Sequence, residues 1–131
     1  MTDHRIRRAL LAVAATLSLA LSQAAPAATD GPAKDEIDHL LNYVATSSCT
    51  FVRNGSEYPA AKARDHLAGK YQFAGSRISS AEDFIKYLAT QSSMSGEPYH
   101  VKCGRNDGLA GVWLTDELHR YRKVAHAQAA R

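Results

Sequence analysis

The first 27 residues decide how much chain is left to fold, and where it folds. Arg5, Arg7 and Arg8 precede an almost unbroken apolar run from Ala9 to Leu21, and Ala25-Pro26-Ala27 then supplies the small residues that signal peptidase accepts. The run is about 13 residues, short of the roughly 20 that span a bilayer. The pattern therefore predicts a cleaved export signal over 1–27 and a mature chain starting at Ala28. No other stretch is apolar enough to act as a transmembrane anchor after cleavage, and no Cys follows the run to accept a lipid. What remains is 104 of the 131 residues, enough for one domain with a modest core.

Removing the signal also changes the charge. The whole chain carries 16 Lys and Arg against 13 Asp and Glu, which invites a nucleic-acid reading. Without 1–27 the balance is 13 against 12. A nearly neutral chain has no general pull toward nucleic acid or anionic lipid.

Export gives the two cysteines a meaning. Cys49 and Cys103 both survive cleavage, and an oxidising compartment makes a disulfide the expected outcome. Closing a loop of that length contributes about 4 kcal/mol in the chain-entropy model. Neither cysteine lies in a CxxC pair, so metal binding and thioredoxin-like redox chemistry have no support.

Hydrophobic periodicity and breakers then divide the chain. Asp30-Gly31-Pro32 marks a flexible leader over 28–34. Ile37, Leu40, Leu41 and Val44 form one apolar stripe, which predicts a helix from about Lys34 to Thr46. Cys49 to Val52 reads as a strand, Asn54-Gly55 as a hairpin turn, and Ser56 to Tyr58 as a brief returning strand. Pro59 suits the start of a second helix with Ala60, Ala63, Leu67 and Tyr71 on its buried side, fading by Gly75. Ser79-Ser80-Ala81-Glu82 has capping-box spacing for a third helix reaching about Thr90. A polar loop, Gln91 to Pro98, leads to an alternating strand, Tyr99 to Cys103. Gly104 to Gly111 is expected as an exposed turn, and a closing helix follows from Trp113 or Thr115 with a frayed tail over 127–131. No internal repeat is evident. The expected fold is α+β: about four helices on a two- or three-stranded antiparallel sheet, one globular domain over 35–126.

Chemistry is harder to find. The chain has no G-x-S-x-G elbow, zinc-helix motif, P-loop or dinucleotide glycine pattern, which argues against an enzyme and names no catalytic residue. The five histidines of the mature chain show no metal-ligand spacing, so no metal and no cofactor is expected. Glu82 and Asp83 point about 100° apart on a helix and suit capping better than paired acid-base work.

The best candidate surface is polar and distributed. It comprises Arg53 and Asn54 at the hairpin, His66 and Lys70 one turn apart on the second helix, Arg77, Glu82, the loop serines Ser92, Ser93 and Ser95, and Tyr99. Arginine forks and loop amides of this kind hold anions. A plainer reading pairs Arg53 and Lys70 with Glu57, Glu82 or Asp83 and lets the serines cap turns. The basic run His119-Arg120-Tyr121-Arg122-Lys123 matches a helix end facing its own dipole.

Thr50-Phe51-Val52-Arg53-Asn54-Gly55, His66-Leu67 with Lys70, Arg77-Ile78 before Ala81-Glu82-Asp83-Phe84-Ile85, and Ser92-Ser93-Met94-Ser95-Gly96-Glu97-Pro98-Tyr99 together carry a resemblance. The chain resembles the YfeK-like family of small exported proteins of Gram-negative bacteria, a domain of unknown function, from about Ile37 to Cys103. The family's marked positions match at Arg53, Asn54, Gly55, His66, Lys70, Glu82, Ser93, Gly96 and Tyr99. The resemblance implies a periplasmic single-domain α+β protein with no established activity, cofactor or substrate. The cysteine pair departs from the family pattern, so the disulfide rests on compartment and strand placement.

The expected function is a periplasmic binding or interaction module of the cell envelope, its partner an envelope protein or a small anionic ligand. The alternatives are a small hydrolase of envelope material, built from His66, Glu82 and a loop serine, and a purely structural envelope protein.

Overall fold

The structure is a computed structural model that describes residues 31–131; the expected export signal over 1–27 and the first residues of the leader lie outside them. Helix α1 (Pro32–Thr46) begins inside the stretch expected as leader, because Pro32 occupies the first turn, where its missing N–H is no loss. Its stripe of Ile37, Leu40, Leu41 and Val44 is buried as the periodicity requires.

Strands β1 (Thr50–Arg53) and β2 (Ser56–Pro59) form a hairpin closed by Asn54 and Gly55, both at positive φ (49° and 76°), as a two-residue turn of the favoured twist demands. Helix α2 (Ala60–Ala74) follows without a linker, and a short 3-10 turn (Gly75–Arg77) ends it. Helix α3 (Ala81–Phe84) passes directly into a π-helical turn (Ile85–Ala89). The capping box is shifted by one residue from the expected spacing. Ser80 is the cap and accepts the Asp83 N–H at 3.0 Å, while the Asp83 carboxylate reaches back to Ser79.

Strands β3 (His100–Cys103) and β4 (Asn106–Leu109) form a second hairpin, and α4 (Ala110–Ala129) again follows without a linker. The exposed turn expected over Gly104 to Gly111 is therefore a strand, and the antiparallel sheet has four members in the order β2-β1-β3-β4. Asn106-Asp107-Gly108 has no β-branched residue to announce a strand. Its extended form follows from pairing with β3 across a two-residue turn begun by Gly104 at φ 63°. Helix α4 also starts earlier than Trp113 and remains helical into the 127–131 tail.

The two hairpin-helix units start fifty residues apart at every element: β1 and β3, β2 and β4, α2 and α4. The central pairing obeys the same relation, since Phe51 faces Val101 while Thr50 faces Lys102 and Val52 faces His100. A pseudo-twofold axis thus passes between Phe51 and Val101, and the repeat not evident in the sequence is present in the fold.

Helix α2 packs on β1 and β2, α4 on β3 and β4, and the π-helical turn touches both helices. The core fills the space between them, with Phe84, Leu114, Leu118, Ile37, Leu40 and Val44 fully buried.

Candidate functional site

The pleat sends alternate residues to one face, so β1 turns Cys49, Phe51 and Arg53 toward the helices and β3 turns Tyr99, Val101 and Cys103. Extending the observed register sets Cys49 against Cys103, Phe51 against Val101, and Arg53 against Tyr99. The first rung is the disulfide, with Cα atoms 4.6 Å apart. The last rung is its pseudo-twofold mate and carries the polar chemistry.

Helix α2 presents His66 and Lys70 to that rung, four residues apart and hence on one face. Arg53 Nη1 lies 3.2 Å from both ring nitrogens of His66, and His66 Nε2 lies 3.3 Å from the Tyr99 hydroxyl. Lys70 Nζ donates to Leu88 O at 2.7 Å, to Tyr99 Oη at 3.3 Å and to Gln91 O at 3.5 Å. Its ammonium therefore spends its donors on a carbonyl of the π-helical turn, on the loop carbonyl of Gln91 and on Tyr99. A guanidinium only donates, so its closeness to the His66 ring favours the neutral imidazole, which alone has a lone pair to offer.

The electrostatics agree with this geometry. Burial, then the charges of Arg53 and Lys70, push the His66 pKa below its ordinary value. Burial and Arg53 likewise lower that of Lys70. Burial raises that of the Tyr99 phenol, against the pull of Arg53. Among the described residues no carboxylate pairs with Arg53, His66 or Lys70. The plainer pairing is thus corrected: Glu57 binds Lys102, Glu82 binds Arg122, and Asp83 caps α3. Arg53 Nε is buried without a hydrogen-bond partner, a condition that costs about 1–3 kcal/mol for a polar group and more for a charged one.

The other repeat does carry an acid at the corresponding place. Fifty residues on, Lys70 corresponds to Arg120 and Leu67 to Glu117. Glu117 is buried, binds Arg120, and accepts from His39 Nε2 at 2.7 Å if that nitrogen carries the proton. In the α4 unit the cation has a built-in counterion. In the α2 unit leucine takes the counterion's place.

Beside the cluster lies a cavity of about 180 Å³ whose wall includes Phe51, Ala63, Leu67, Ala89 and Leu114, with Arg53 and His66 as polar members and Tyr58, Lys62 and Tyr99 also lining it. Arg53 additionally lies over the Tyr58 ring, 5.5 Å from its centre. Tyr58 and Lys62 were not in the polar set read from sequence, though both follow from the position of α2 directly after the β2 edge.

The other expected residues separate into two groups. Asn54, Ser92 and Ser95 meet next to the cluster: Asn54 Nδ2 donates to Ser92 Oγ at 3.4 Å, and Ser95 Oγ donates to Asn54 Oδ1. Ser92 is buried and accepts the Met94 and Ser95 N–H groups, so these serines close the 91–98 turn and pin it to the hairpin. Ser93 is exposed and makes no side-chain hydrogen bond among the described residues. Arg77 and Glu82 do not join the site. Arg77 caps its own helix through Ala74 O and Phe73 O, and Glu82 shares Arg122 with Glu36. The hydrolase set of His66, Glu82 and a loop serine is consequently not assembled: none of the three bonds to another. Among the described residues no group of three or more His, Cys, Asp or Glu could hold a metal, and no helix is long and apolar enough to cross a membrane.

Comparison with known proteins agrees with the resemblance. Residues 32–122 match the family described as "Family of unknown function (DUF5329)". The chain is 36% identical over 88 residues to the uncharacterized protein YfeK of Salmonella typhimurium, an overlap that covers 66% of this chain and 73% of that protein. No solved structure matches.

Proposed function

Because the chain belongs to the DUF5329 family, whose function is unknown, its activity must be argued from the site itself, and we propose that it is an exported periplasmic module that binds a small anion at Arg53. The observation that carries this reading is a partly buried trio of basic side chains with no carboxylate partner, set against a cavity. An anion there would meet the Arg53 guanidinium at the pocket wall and the positive field of Lys70. The periplasmic location is supported by the signal-like sequence at 1–27 and by the Cys49–Cys103 disulfide.

Histidine-ring and tyrosine-ring NMR shifts test the proposal. Millimolar acetate should move the His66 and Tyr99 resonances in a saturable manner, and Arg53→Gln should abolish the response while leaving the fold intact. Unchanged saturation in a folded Arg53→Gln protein would overturn it.

A further inference from the structure

We propose that the ligand is a monocarboxylate with an apolar body of about five to seven carbons, the carboxylate on Arg53 and the body in the cavity that Arg53 helps to line. This rests on the anion-site reading above and adds the ligand's chemical class. Three observations carry it.

The first is size. An engineered apolar cavity of about 150 Å³ stays dry and admits benzene. The cavity of about 180 Å³ here is of that size but half open to solvent, and Phe51, Ala63, Leu67, Ala89 and Leu114 give it apolar walls. A bare inorganic anion would leave those walls unused.

The second is the donor count. Lys70 is committed to Leu88 O, Gln91 O and the Tyr99 hydroxyl, and one Arg53 nitrogen is committed to His66. Among the described residues no hydrogen bond takes Arg53 Nη2, and Lys62 is exposed at the rim, whereas the unpartnered Arg53 Nε has no exposed surface for a ligand oxygen. Arg53 Nη2 and the Lys62 ammonium give one donor for each oxygen of a carboxylate. A phosphate dianion, with three oxygens to satisfy, would lack donors.

The third is the repeat. In the α4 unit a carboxylate of the protein itself, Glu117, neutralises the cation that corresponds to Lys70. In the α2 unit the corresponding residue is Leu67, which lines the cavity. The structure leaves the carboxylate to the ligand and adds an apolar wall beside it.

Isothermal titration of the oxidised protein with acetate, hexanoate, phenylacetate, hexanol and inorganic phosphate tests the assignment. Each buried methylene is worth about a fourfold gain, so hexanoate and phenylacetate should bind at least tenfold tighter than acetate, and hexanol and phosphate should bind far more weakly than hexanoate. Ala63→Leu, which fills the cavity from α2, should remove the advantage of hexanoate and preserve acetate binding. Leu114→Ala, which enlarges the cavity, should shift the preference toward octanoate and covers the case in which Ala63→Leu does not fold. If hexanoate binds no tighter than acetate, the ligand class is wrong and the anion site stands. If no anion moves the His66 and Tyr99 resonances, the anion site itself is wrong.

Discussion

Cys49 and Cys103 are joined directly across the central strand pair, Cα atoms 4.6 Å apart, at the end of the sheet opposite the Arg53 and Tyr99 rung. The bridge closes a sequence separation of 54 residues. It thereby ties the first hairpin-helix unit to the second through the two inner strands.

Removing that tie releases the denatured chain more than it disturbs the native one. The loop-entropy relation gives about 4 kcal/mol for the bond. The Cys49→Ala, Cys103→Ala double variant should therefore melt roughly 15–30 °C below the oxidised protein, using the slope expected for a domain of about 100 residues. Thermal unfolding with and without reductant measures it. Intact mass should also rise by about two protons on reduction of the wild-type protein. A reduced protein that melts within a few degrees of the oxidised one would show that the denatured ensemble is already constrained.

Two glycines in helices should respond to alanine in opposite directions. Gly69 lies in the interior of α2, and a Cβ there would meet nothing within 4 Å. Gly69→Ala should stabilise by about 0.5–1 kcal/mol through lower chain entropy in the unfolded state. Gly111 lies in the first turn of α4, and a Cβ there would approach Thr90 Oγ1 to 2.8 Å. That hydroxyl donates to Ile85 O at 2.7 Å, so it is not free to swing away. Gly111→Ala should cost about 1–3 kcal/mol, and Thr90→Ala should recover part of the loss in a double-mutant cycle. Chemical denaturation of the four proteins checks both signs, and a stabilising Gly111→Ala would refute the close approach.

How far the sequence announced this fold depends on the element. Helix α1 was legible because its stripe is amphipathic, and the Asn54-Gly55 hairpin because positive φ selects those residues. Strand β4 was not, since its composition is that of a turn and only pairing with β3 extends it. The fifty-residue repeat is hidden in the sequence for a related reason. Thr50-Phe51-Val52-Arg53 and His100-Val101-Lys102-Cys103 share topology and pleat but little chemistry. In the site, residue type points to Arg53, His66, Lys70 and Tyr99 one by one, but their meeting depends on β1 and β3 running antiparallel with a register no single sequence states. Arg77 and Glu82 went elsewhere because nearer partners, a helix end and Arg122, satisfied them first.

The same comparison of repeats bears on Glu117. Its carboxylate is buried but its partners are accessible, Arg120 largely and His39 partly. Hydrogen bonds from Arg120 and His39 hold it below the usual carboxylate range. Leucine, the residue at the corresponding place in α2, should therefore be tolerated, because water can take over both partners and the apolar side chain fills the volume. Glu117→Leu should remain within about 1 kcal/mol of wild type, whereas Glu117→Ala should lose about 2–3 kcal/mol to the cavity. Urea unfolding decides between them, and a leucine variant less stable than the alanine variant would mean that the ion pair itself is required.

The pH response of the site follows from His66. Its folded pKa lies below the ordinary value of 6.5, so the unfolded chain binds the proton more readily. By linkage, stability is fully present above pH about 6.5 and declines as pH falls from there toward the folded pKa. The groups facing the ring are Arg53 on β1, Lys70 on α2 and Tyr99 before β3, and among the described residues no carboxylate pairs with the ring to offset the charge. His66→Gln, which keeps a hydrogen-bond acceptor, should flatten the stability profile between about pH 7 and 5. The acid-side losses from Glu82, Asp83 and Glu117, whose pKa values are also lowered, fall below that window. A bound carboxylate supplies the missing negative charge and should raise the His66 pKa, so binding takes up a proton and acetate affinity should increase from pH 8 to pH 6. Titrations at the two pH values, repeated in His66→Gln, measure the coupling. Affinity that is independent of pH in the wild-type protein would place the anion away from the His66 ring.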